Sequence, residues 1–232
     1  MRSGRSTEKE QMDNLELSGE DLNKTLSGLS TINKYLGNTS ATVKAIKKEI
    51  IKQNPPLQII DLGCGGGDNL RAIANWCERI NQPIELLGID GNEHILAHAR
   101  QQNSPTTTIK YLQADILDEA FVLSSCDILI SSHFMYHFSD DELVAFLRKS
   151  KRNISTKIIF SELQRNWFSY ALFKLGAVFL PFSNIVKQDG LVALRRSFTK
   201  KELMAILERA ELARFEVSWK WAFRLLVMVP MK

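Results

Sequence analysis

A chain of 232 residues carries 44% hydrophobic and 24% charged residues and a formal net charge of +4. That length supports one domain of generous size, and the composition excludes wholesale disorder. The mild charge does not by itself argue for a nucleic-acid binder, which would need a concentrated basic face.

The opening "MRSGRSTEKEQ" is charged and has no apolar core of the kind a secretory signal needs, so residues 1–14 read as a disordered tail. Apolar Leu22, Leu26, Leu29, Ile32 and Leu36 then recur at helical spacing, with Ser18 placed to cap and Gly37 to stop the helix. A second helix, 39–52, ends at "NPP", where the prolines forbid continuation. Together, 15–54 read as an N-terminal helical cap on a main domain of 55–232.

From residue 57 the pattern alternates. Strands are expected at 57–62 ("LQIIDL"), 84–90 ("IELLGID"), 108–113, 126–131 ("CDILIS") and 157–162 ("KIIFSE"), with helices over 68–80 and 93–102. Ser139 and Glu142 in "SDDEL" form a capping box that opens another helix, and Thr199 in "TKKEL" opens one running to about 210. Between them, 166–198 is a helical insertion carrying Trp167, Phe168, Tyr170, Phe173, Phe179 and Phe182. Its apolar core is broken by Lys174 and Pro181 and is shorter than the ~20 residues a bilayer span needs. The chain closes on "RFEVSWKW" and "FRLLVMV", with only Ala222 between Trp221 and Phe223. A hairpin or one long bent strand both fit. Alternating strands and helices imply right-handed crossovers. The expected fold is α/β, a doubly wound, seven-stranded, mostly parallel sheet with helices on both faces.

The stretch "IIDLGCGGGDNL" (59–70) puts four glycines in five positions directly after a buried strand. Such a strand–loop–helix unit offers bare backbone N–H groups and a helix N-terminus to a ligand. A triphosphate-binding loop would need GxxxxGK[ST], and no lysine follows. A dinucleotide fingerprint would need a third glycine at 68, where Asp68 stands and would repel phosphate. The three cysteines, Cys64, Cys77 and Cys126, show no CxxC spacing, so neither disulfides nor a zinc ribbon is expected. A reduced, cytoplasmic compartment is the simpler reading. His133 and His137 are four apart, but HExxH would need Glu at 134. That position is Phe134, and no metal is expected.

"DLGCGGGD" resembles the first motif of the class I S-adenosylmethionine-dependent methyltransferases, an acidic residue followed by GxGxG. The resemblance covers roughly 55–165. It implies S-adenosylmethionine as cofactor, with Asp61, Gly63, Gly65 and Gly67 around its methionine part and Asp90 on the ribose hydroxyls. It also implies Asp115 and Ile116 at the adenine, with Asn92 and Ser132 in further contact. Small-molecule members commonly carry an "HHF"-like stretch after the fourth strand, where this chain has "YHF" (136–138). The implied activity is methyl transfer to a small, lipophilic aromatic acceptor (a phenol, quinol or polyketide), with O-methylation favoured. His133 is the expected base, and His137 and Glu162 are further catalytic candidates. The 166–198 insertion would roof the acceptor. An RNA or protein methyltransferase, or a non-catalytic cofactor-binding partner subunit, stays open as an alternative. No nucleic-acid partner is expected, and peripheral contact with membrane lipids is left open.

Overall fold

The computed structural model describes residues 4–35, 37–51, 56–104, 108–179 and 183–231. Strands β1 (Leu57–Leu62), β2 (Ile84–Asp90), β3 (Ile109–Gln113), β4 (Cys126–Ser132), β5 (Ile154–Leu163), β6 (Glu216–Lys220) and β7 (Arg224–Pro230) form one seven-stranded sheet. Its order is β3-β2-β1-β4-β5-β7-β6, parallel throughout except for β7, which runs antiparallel to both neighbours. The helices are α1 (Gly19–Tyr35), α2 (Asn38–Ile50), α3 (Asp68–Arg79), α4 (Glu93–Gln101), α5 (Asp140–Ser150), α6 (Trp167–Phe179), α7 (Asn184–Arg196) and α8 (Lys200–Arg209).

Alternate residues of the buried strands feed two cores, as a pleat requires. Ile59, Ile128 and Ile159 pack with Ile46 of α2, Ile73 of α3 and Leu96 of α4. Ile60, Leu129 and Ile158 pack on the other face with Leu147 of α5 and Ile206 of α8. Strand order reverses between β1 and β4, the place where ligands bind in open α/β sheets.

Most expected elements are found within a few residues of their place. Strand β5 starts three residues before the expected 157, because pairing with β4 resumes at Cys126–Ile154 after a register shift. The closing runs form a hairpin, Lys220 opposite Arg224, whose three-residue turn places Phe223 at φ +54°. Leu36, residues 52–55 and Phe182 lie outside the described residues.

The expected disordered tail is corrected. Residues 1–3 lie outside the described residues, but from Arg5 the segment is a strap tied to α5 and α7. Arg5 donates through Nη1 to Asp140 (2.6 Å), through Nη2 to the Tyr136 and Phe138 carbonyls (2.7 Å each) and through Nε to the Arg196 carbonyl (2.9 Å). Asp189 of α7 accepts from the Gln11 and Met12 amides at 2.8 and 3.0 Å. Asp13 accepts from Arg196 Nη1 at 2.6 Å. A high charge density signals disorder only when the charges lack partners, and these partners lie more than a hundred residues away in sequence.

Arg5→Ala leaves three carbonyls and a carboxylate without their donor. It is expected to lower unfolding free energy by about 1.5–3 kcal/mol in denaturant titration. Arg148→Ala, which breaks only the exposed pair with Glu211, should cost less than about 1 kcal/mol.

Candidate active site

A cavity of about 1090 Å³ opens at the carboxyl ends of β1, β2 and β4, and the strap, α1, α6 and α7 wall its far side. Of the cofactor residues expected, Gly63, Gly65, Asp90, Asn92, Asp115, Ile116 and Ser132 line it, whereas Asp61 and Gly67 do not.

The glycines do different work. Gly65, at φ +52°, would place a Cβ in open space, so its bareness leaves room on the cavity side. A Cβ on Gly63 would instead fall 2.1 Å from Phe134 Cγ, so that glycine makes room for a ring of this chain. Both glycines line the cavity, but only at Gly65 is the space beside the backbone left open by the chain itself. Gly67 precedes α3, where a Cβ would meet the Tyr111 hydroxyl at 2.5 Å.

Asp90, at the end of β2, accepts from the Gly65 amide at 3.0 Å and the Asn92 amide at 3.1 Å. These bonds fix its carboxylate and leave lone pairs for a diol. Burial raises its pKa, against the pull of those amides. Asn92 spends Oδ1 capping α4 through the His94 and Ile95 amides, which leaves its buried Nδ2 without a partner among the described residues. Asp115 accepts from the Leu117 amide, and Ile116 is buried beside it. The Ser132 hydroxyl meets Asn69 Nδ2 (3.1 Å) and Thr42 Oγ1 (3.2 Å), which joins α2 to the site.

Asp61 is 1% exposed, and neither carboxylate oxygen has a hydrogen-bond partner among the described residues. Burial first, and then the charge of Asp90, raise its pKa well above the ordinary value, with Asn69 pulling the other way. A pair of orphaned acceptors behind a bare loop lacks a cationic donor, and the positively charged groups of S-adenosylmethionine match that need. The residues present fit this cofactor.

The turn after β4 sorts the catalytic candidates. His133 sits at φ +53°, a strained position for a side-chain-bearing residue, with its amide on the Ser161 carbonyl (2.9 Å). Its Nε2 accepts from Arg224 Nε at 3.3 Å. Burial, then Arg224, push its pKa down to about 3, so the ring is neutral with its free lone pair already engaged. That arrangement suits a donor, not the expected base. Glu162 does not line the cavity. It is fully buried and accepts from the Phe134 and Met135 amides at 3.3 and 3.2 Å, a scaffold under the turn instead of a group facing an acceptor.

His137 lines the cavity, and its Nδ1 lies 2.7 Å from Asp13 Oδ1 on the strap. The ring stacks on Tyr136 at 4.4 Å. Burial works to raise the Asp13 carboxyl, but His137 and Arg196 outweigh it and hold the group far below the usual carboxylate range. Beside it, burial and then Asp13 push Glu10 up to about 8. Asp13, Glu10, Asp189 and Arg196 went unseen in the sequence, since a "charged tail" and a helix give no sign of meeting. One local sign existed. Gly190 inside α7 costs helix propensity, and it is there because the Phe173 ring lies 2.4 Å from where its Cβ would be. Phe173 lines the cavity, whereas Trp167 and Phe168, expected in the same roof, face outward and are exposed.

Fold and cavity are those expected of a class I S-adenosylmethionine-dependent methyltransferase. Residues 59–156 match the family model of the methyltransferase domain, and the chain carries that domain. It is 24% identical over 176 residues to the carboxy-S-adenosyl-L-methionine synthase of Campylobacter jejuni, across 71% of this chain and 72% of that one. Its fold is similar to that of human N-acetylserotonin methyltransferase in complex with S-adenosylmethionine. There the TM-score is 0.63 and the identity 12%, over 97% of this chain and 63% of that one. Magnesium protoporphyrin IX methyltransferase from Synechocystis, also with S-adenosylmethionine, aligns with a TM-score of 0.57 at 13% identity, over 94% and 88% of the two chains.

Two measurements test the site. Calorimetry with S-adenosylhomocysteine should show binding abolished in Gly65→Val and weakened by about 1.5–3 kcal/mol in Asp90→Ala. Unchanged affinity in either would remove that residue from the cofactor. For Glu162, burial raises the pKa to about 8 from the ordinary 4.5, against the pull of the Met135 and Phe134 amides and Arg5. The folded state therefore holds more protons than the unfolded chain across that window, and stability falls as pH rises through it. Glu162→Gln does not titrate, so its stability should decline less steeply over the same range in denaturant titrations. Parallel curves would contradict the buried, protonated carboxyl.

Proposed function

We propose that the enzyme methylates a hydroxyl oxygen of a small, lipophilic aromatic acceptor such as a phenol, quinol or polyketide. The observation that carries this is the 2.7 Å contact of Asp13 with His137 Nδ1 on the cavity wall. With Nδ1–H donated to Asp13, the ring keeps Nε2 as its proton acceptor, the arrangement that makes a histidine a general base. When bound, S-adenosylmethionine supplies a methyl group activated on a sulfonium. The chain's part is alignment and proton removal. His137 Nε2 would take the proton of the acceptor hydroxyl, and the Asp13 carboxylate would hold the resulting imidazolium, while the bound cofactor would supply the methyl group and leave as its neutral thioether. Phe134, Phe138, Leu163, Phe173 and Leu194 on the cavity wall favour an apolar acceptor, and α6 and α7 serve as its roof.

A second reading draws on the name of the Campylobacter relative, a synthase of carboxy-S-adenosyl-L-methionine. Arg224, lining the cavity beside His133, offers a cation where a carboxylated methyl group would need one. Mass spectrometry of the nucleoside that copurifies with the protein separates the two readings.

A screen of alkylphenols against small charged acceptors, with labelled S-adenosylmethionine, should show transfer to the phenols. His137→Ala should lower kcat by about 10²–10⁴-fold while S-adenosylhomocysteine still binds. Asp13→Asn should lower kcat with KM nearly unchanged, as expected of a group that acts through His137. A fully active His137→Ala enzyme would overturn the base assignment, and a preference for charged acceptors would overturn the acceptor class.

A further inference from the structure

Helix α6 departs from the pattern of the other surface helices. Lys174 is the one charged side chain in its thirteen residues, WFSYALFKLGAVF. Phe168, Leu172 and Leu175 follow one another at i, i+4 and i+7, and each is more than half exposed (51%, 53% and 65%). A helix that is apolar on its solvent side has an unpartnered face. The β6–β7 hairpin extends that face, with Trp219 and Trp221 also more than half exposed. A chain of rings makes the surface continuous: Trp167 lies 5.9 Å from Phe168, Phe168 5.9 Å from Phe223, and Phe223 6.4 Å from Trp219.

Charge indicates what covers it. No acidic side chain occurs between Glu162 and Asp189, nor after Glu216, and these two stretches build the patch. The exposed cation of α6 among these rings is Lys174. Tryptophan with lysine around an aliphatic centre is the composition that seats proteins at the headgroup level of an anionic bilayer. None of the described helices is long and apolar enough to cross a membrane, so such a face would lie on the surface without spanning it. Leu172, Trp221 and Phe223 belong both to the patch and to the cavity wall. Whatever covers the patch therefore also meets residues of the cavity wall.

We propose that the face formed by α6 and the β6–β7 hairpin docks on an anionic lipid bilayer, so that a lipophilic acceptor enters the cavity from the membrane. The docking extends the reading of a lipophilic acceptor and is scored separately from it. The full chain is sedimented with phosphatidylcholine vesicles with and without phosphatidylglycerol, while tryptophan emission is followed. Binding to the anionic vesicles, weaker in high salt and with a blue shift, is expected. Trp167, Leu175 and Trp219 do not line the cavity, so a triple Gln variant at these positions should keep cofactor affinity and lose about tenfold or more in vesicle partition. Absence of binding by the wild type, or equal binding by the variant, would overturn the proposal. So would a concentration-dependent dimer in ultracentrifugation that the variant abolishes, because the patch would then be closed by a second copy. Vesicle binding without transfer to any phenol sinks the acceptor reading and leaves docking intact, and transfer in solution without vesicle binding does the reverse.

Discussion

The site depends on one close approach. The Phe134 ring occupies the space that any side chain at 63 would need, with its Cγ 2.1 Å from where a Cβ would sit. A glycine must therefore follow strand β1 directly, and the turn after β4 must bring an aromatic ring down onto it. Glu162, one strand further, grips that turn by its Phe134 and Met135 amides. Three neighbouring strand ends are locked together across the point where sheet order reverses. The cost appears at His133, forced to φ +53°, and at Glu162, buried with one oxygen unpartnered among the described residues. What is gained is a fixed position for residues 133–138, and with it His137 on the cavity wall.

A second layer of order depends on the first. Arg5 binds the Tyr136 and Phe138 carbonyls of the same turn, and Arg196 binds the His137 carbonyl while holding Asp13. The strap thus reads the conformation of the turn through backbone carbonyls. It then returns one side chain, Asp13, to the histidine the turn carries. Placed in water, each of these pairs would be worth little. Half-buried and sharing partners, they form a network in which removing one member leaves others unsatisfied.

How legible this was in the sequence follows from range. Strand β1 and the glycine loop are local signals, an apolar run and a missing side chain, and both stand where they were expected. So do the capping boxes at Ser139 and Thr199, because each is closed within three residues. The cofactor side came from a family motif on consecutive strand ends, and most of its residues do meet in one cavity. The catalytic side did not come from local pattern. His133 looked better than His137 by nearness to the crevice, and nothing in "SSHFMYHF" says that Arg224, ninety-one residues on, occupies its nitrogen. Asp13 sits in a segment whose composition alone argues for disorder. A histidine's role is set by what reaches its nitrogens, and the partners of these two, Arg224 for His133 and Asp13 for His137, come from the far ends of the chain.

Charge conservation ties the two halves of the site together. On the O-methylation reading, a positive sulfonium and a neutral acceptor become a neutral thioether and a neutral ether, so one positive charge must end elsewhere. In an apolar cavity an unpaired imidazolium would be costly. Asp13, kept ionised by His137 and Arg196, is the fixed negative charge against which that imidazolium can form. Glu10 stands next to it but is held protonated up to about 8, by burial first and then by Asp13 itself. The strap therefore presents one negative charge to the histidine and not two.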